Sequence, residues 1–82
     1  MKLLPLTMLS EGEEGIIVEV NGGEAITRKL LDIGFVPGAR VKVLKRSSSS
    51  TLSTLLVDIK EGRVMLGCGA AMRIIVRIND GE

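Results

Sequence analysis

The stretch LLDIGFVPGARVKVL, residues 30–44, decides how this chain is read, because it joins the end of a helix, a stop, a tight turn and a strand. Upstream, EAITRKLLDI (24–33) places Ile26, Leu30 and Ile33 at i, i+4 and i+7, one apolar stripe of a short helix. Glu24 lies at the positive N-terminal end, with Arg28 four residues on, where the two can pair. Gly34 follows the last periodic residue, the place where a left-handed residue closes a helix. Phe35 then occupies the position that folds back on Leu30 in a Schellman-type stop. VPGA (36–39) fits a type II turn, with Pro37 presetting φ and Gly38 supplying φ > 0. ARVKVLKR opens a strand with Val41 and Val43 inward and Arg40, Lys42 and Arg46 outward.

Working outward, GIIVEV (15–20) alternates, with Ile16, Val18 and Val20 on one face and Ile17 and Glu19 on the other, and NGG then breaks the strand. LLVDI puts Leu55, Val57 and Ile59 on one face, KEG turns the chain, and RVML continues with Val64 and Leu66. GCGAAM (67–72) reads as a helical turn, and RIIVRI closes with Ile74, Val76 and Ile78 inward. The SSSST run (47–51) reads as a solvated hairpin loop, in preference to a phosphorylation switch. The order is strand, helix, then four strands. It predicts a mainly β domain over 1–82: a small barrel or sandwich of about five strands, one short helix inserted after the first and a helical turn before the last. Barrel closure would remove exposed edges.

With 82 residues the chain buries roughly 60% of its unfolded surface. One Phe and no Trp or Tyr leave the core to aliphatic residues and Met. Eleven basic against ten acidic residues give a net charge of +1, which is not the footprint of a nucleic-acid binder, and no aromatic platform exists for base stacking. A single Cys excludes an internal disulfide and suits a reducing compartment. The opening MKLLPLTMLSEGEEG is too short in its apolar part for a signal peptide and is interrupted by Pro5. VMLGCGAAM falls far short of the ~20 residues that span a bilayer. A cytoplasmic protein without membrane insertion is expected.

No His is present, so no nucleophile–base pair presents itself. Cys68, between Gly67 and Gly69, reads as packing. Glu11, Glu13 and Glu14 read as a solvated turn. Cys68 is also the one weak metal candidate, since tight transition-metal sites favour imidazole or thiolate; any divalent site would be weak, carboxylate-rich or completed by a partner. GCG and NGG have neither the spacing nor the Lys of a phosphate loop. No enzyme and no resident cofactor are expected. Ile17, Leu44, Leu56, Met65 and Ile75, with Leu31 on the helix, place apolar side chains on faces that should be wet. Any of them left uncovered would mark a contact surface for a partner or for weak self-association.

LSEGEEGIIVEV resembles the opening signature of the FeoA family, with Leu9, Gly12, Gly15 and Ile16 in order and Val20 one place beyond the commonest spacing. RKLLDIGFVPGARVKVL is similar to its central motif through Leu31, Ile33, Gly34, Phe35, Pro37, Gly38, Val41 and Val43. VMLGCGAAMRIIV resembles its closing motif through Met65, Leu66, Ala71, Ile74 and Val76. The segment GCGA departs from it, being less polar than is usual in the family. The resemblance implies an SH3-like barrel and a cytosolic accessory protein of bacterial ferrous-iron uptake. It implies a FeoB-like transporter's cytosolic region as the partner. The alternative it carries is a metal-responsive module like the C-terminal domain of iron-dependent repressors. The start at Met1 without a preceding helix-turn-helix favours the stand-alone protein. The expected partner surface takes in Leu31, Phe35, Cys68, Met65 and Ile75, with Leu31 and Phe35 most exposed. Gly12, Gly15, Gly34, Pro37 and Gly38 are expected to be structural.

Overall fold

The helix stop forms as its sequence dictates. In the computed structural model, which describes residues 2–48 and 52–79, helix α1 (Glu24–Ile33) ends at Gly34 with φ 131°. The Phe35 N–H donates to the Leu30 carbonyl at 3.0 Å and the Gly34 N–H to the Leu31 carbonyl at 3.1 Å, the paired bonds of a Schellman motif. The Ala39 N–H then donates to the Val36 carbonyl at 3.0 Å, with Gly38 at φ 93°, closing the type II turn. Glu24 and Arg28 pair at 3.3 Å on the solvent side of α1, while Leu30 is buried and Ile26 and Ile33 pack against the core.

Around this corner lie six antiparallel strands: β1 (Lys2–Pro5), β2 (Glu14–Val20), β3 (Arg40–Ser48), β4 (Ser53–Ile59), β5 (Gly62–Gly67) and β6 (Ile74–Ile78). A 3-10 turn (Leu6–Met8) follows β1, and a one-turn helix, α2 (Cys68–Ala71), precedes β6. The sheet order is β1-β6-β2-β3-β4-β5. The mainly β expectation holds, with one strand more than foreseen. β1 has four residues ending in Pro5 and shows no alternation, so it lacked a strand signal, and α1 therefore follows the second strand. The expected closure does not occur. Among the described residues no pairing joins β1 to β5. Leu6 of the 3-10 turn and Ala71 of α2 are fully buried there, and α2 packs against β4, β5 and the 3-10 turn. Apolar side chains, not a backbone ladder, complete the core. The tip of the Ser-rich hairpin loop, 49–51, lies outside the described residues.

Two bulges correct the expected faces. A register shift between Ile17 and Glu19 makes Val18 the extra residue. Ile17 is therefore buried and Val18 exposed, while Val20 still reaches the core three residues after Ile17. A second shift between Val43 and Lys45 puts Arg46 across from Leu55 instead of on the outward row. From there the Arg46 guanidinium donates to the Leu9 carbonyl, and the Arg46 backbone N–H donates to the Glu11 carboxylate at 2.7 Å. Glu13 accepts the Ser10 N–H at 2.8 Å. Glu11 and Glu13 thus anchor the loop before β2, a role beyond that of solvated charges. Gly15 is required by close approach, since a Cβ there would stand 3.0 Å from the Arg77 carbonyl oxygen.

A Cβ on Gly34 would meet the Glu61 carboxylate at 2.6 Å and Ile59 Cδ1 at 3.0 Å, in a φ region closed to β-branched residues. Gly34→Val is expected to lower unfolding free energy by about 2 kcal/mol or more in urea titration. Gly69→Ala, where nothing lies within 4 Å of the added carbon, should leave stability unchanged or raise it by up to about 1 kcal/mol.

Candidate interaction surface

The 3-10 turn, β5 and α2 carry exposed methionines. Gly67, with φ −68° and ψ 154°, ends β5 and starts α2, and the Met72 N–H closes the turn on the Cys68 carbonyl at 2.9 Å. The small Ala71 side chain lets this turn sit on the core. Cys68 and Met72, four residues apart, then share a face, with Cys68 half-buried and Met72 exposed. Met8, at the end of the neighbouring 3-10 turn, is 64% exposed, Met65 on the outer face of β5 is 63% exposed and Met72 is 57% exposed. In a chain with so few aromatic residues, methionines would be ordinary core filler. Holding all three of the described ones in solvent is instead the composition of an adaptable binding surface. Met8 and Met72 escaped sequence reasoning because neither sits in a periodic strand or helix pattern.

The five expected surface residues do not behave alike. Met65 is exposed and Cys68, Ile75 and Leu31 are half-buried. Phe35 is fully buried, which corrects its expected exposure. The Schellman geometry that turns it back on Leu30 also drives its ring into the core, so it offers no surface to a partner. Ile75 lies between Pro5 and Glu19 in register, on a strand separated from β5 by three others in the sheet order. Leu31 lines a shallow solvent-side recess of α1 with Thr27 and Arg28. Ile17, expected to be wet, is core, and Leu44 and Leu56 are half-buried.

Charge is ordered across the outer face of the sheet. Glu14 pairs in register with Lys42, Lys42 with Asp58 and Asp58 with Arg63, so signs alternate over four strands and end on a cation at β5. Opposite charges directly across strands are mutually stabilising. No group of three His, Cys, Asp or Glu side chains stands together among the described residues. Cys68 therefore has no ligand set around it, and the described residues do not fit a tightly held transition metal.

The FeoA domain model matches residues 4–78. A protein of Methanocaldococcus jannaschii, provisionally named Fe(2+) transport protein A, is 27% identical over 90% of this chain and 85% of its own length. A crystal structure of an iron uptake regulatory protein (FeoA) superposes with TM-score 0.80 at 32% identity, over 93% of this chain and 97% of that one. Stenotrophomonas maltophilia FeoA complexed with zinc, described as an SH3 domain protein and a candidate ferrous iron transport activating factor, superposes with TM-score 0.73. It is 27% identical over 88% of this chain and 87% of that one.

Burial separates core from surface within the expected set. Phe35→Ala should cost about 3–5 kcal/mol in denaturant unfolding, as for other fully buried aromatic residues. Met65→Ala should stay within about 0.5 kcal/mol, as at other exposed positions.

Proposed function

This chain belongs to the FeoA family, and from that premise we propose that it is an accessory protein of ferrous-iron transport that acts by docking on the cytosolic region of a FeoB-like transporter. The family is one of transport accessory proteins, not of enzymes. The observation that carries the docking reading is the exposed methionine surface at the 3-10 turn, β5 and α2. Flexible, polarizable side chains held in water lose little on meeting an irregular partner and gain contact area there. A cytoplasmic setting accords with this reading. No described helix is long and apolar enough to cross a membrane.

Purified protein mixed with the transporter's cytosolic domain, with and without GTP, should associate at or below ~100 μM, corresponding to about −5.5 kcal/mol. No association at that concentration in either nucleotide state would refute the docking reading. The rival reading is a metal-responsive regulatory module. Docking is favoured over it because no ligand cluster surrounds Cys68 among the described residues. Titration with Fe(II) or Zn(II) is expected to move amide resonances only at millimolar metal, and Cys68→Ser should leave those shifts unchanged. Micromolar saturation abolished by the substitution would reverse the order of the two readings.

A further inference from the structure

We propose that the free edge of β5 accepts an extended segment of a partner protein as a seventh, antiparallel strand, and that this segment carries an apolar residue opposite Met65 followed two residues later by an acidic residue opposite Arg63. The inference rests on the docking reading above and names the place and chemistry of the contact.

The edge is open by geometry. Val43 accepts the Gly12 N–H at 2.7 Å and donates its own N–H to the Glu13 carbonyl at 3.0 Å, so its main chain faces away from β4. Backbone groups alternate sides along an antiparallel strand, so Lys42 faces β4 and its register partner Asp58 faces β3. The same alternation turns Val57 and Leu55 toward β5, where Val64 and Leu66 answer them. The N–H and C=O groups of Arg63 and Met65, and the N–H of Gly67, are left pointing to the unpaired side, while the Gly67 carbonyl begins α2.

Two devices that protect many edges, proline and a bulge, are missing from β5. It contains no Pro, and its pairing with β4 runs from Ile59↔Gly62 to Thr54↔Gly67 without the register shift seen in β2–β6 and β3–β4. The opposite edge, β1, is four residues long and ends in Pro5, which has no N–H to donate. A Cβ added at Gly67 would meet nothing within 4 Å, so the outer face at this end of β5 is open.

The occupant's chemistry follows from the outer face. The alternating row Glu14, Lys42, Asp58, Arg63 breaks off at a cation, and its continuation is an anion. Met65, in the next outward position, asks for an apolar neighbour. A second copy of this chain fits less well. The two symmetric registers with the longest overlap that keep faces matched set Arg63 across from Met65 or from Gly67, and neither supplies an acid.

The test uses the blocked peptide Thr-Val-Leu-Val-Glu-Thr against the full chain. Saturable amide shifts centred on residues 63–67 are expected. Replacing the peptide Glu by Lys, N-methylating its Leu and Glu amides, or introducing Gly67→Pro should each weaken binding about fivefold. Gly67 already has φ −68°, which proline adopts, so this variant should fold as the parent does. Arg63→Glu should reverse the peptide preference in favour of Lys. No binding at ~1 mM, indifference to N-methylation, or shifts located elsewhere would overturn the proposal. So would a dimer formed without peptide and lost in Gly67→Pro, which would assign the edge to a second copy. The same two variants then enter the transporter-domain experiment. If they associate as the parent does, the edge proposal fails and docking stands. If the parent does not associate, docking fails and the peptide result alone decides the edge.

Discussion

Everything in this small fold hangs on how α1 is stopped. The Leu30 carbonyl takes the Phe35 N–H, and with that bond Phe35 enters the core while the chain turns through Pro37 and Gly38 into β3. Gly34 sits within contact range of Ile59 and Glu61, so the same corner seats the helix on the β4–β5 hairpin. The chain's one aromatic side chain is spent there, fully buried. In a domain this short, one aromatic residue is a large fraction of the apolar area that favours folding. Moving it to a binding surface would weaken the structure that presents that surface.

With the core thus committed, recognition falls to what remains outside. The described methionines are on the surface, and the charges lie in a cross-strand row that ends at the β5 edge. The docking proposed for this member of a family of transport accessory proteins is a matter of contact. Contact in turn favours adaptable side chains and an edge that can hydrogen-bond main chain to main chain.

The helix, its stop, the type II turn and the inward residues of β3, β4 and β6 were legible in the sequence, because each depends on residues within a few positions of one another. The pattern Ile26, Leu30, Ile33 followed by Gly34 is a local instruction. The two bulges were not legible. At Val18 and Leu44 the chain admits an extra residue to match the lengths of strands far away in sequence, and nothing local announces it. Ile17 and Arg46 changed faces for that reason. β1 was missed because a four-residue edge strand needs no alternation. The exposure of Phe35 was misjudged although its backbone geometry was read correctly, since a hydrogen-bond pattern specifies the turn but not what the ring meets.

Family membership, the helix corner and the character of the strands were therefore written in short-range patterns, where steric and hydrogen-bonding rules act between neighbours. Which faces are wet, where the sheet stays open and which charges line up belong to packing between strands distant along the chain. Open edge, alternating charges and exposed Met65 coincide on β5 because α2 and the 3-10 turn, with Leu6 and Ala71, fill the gap where, among the described residues, no strand pairs beyond it.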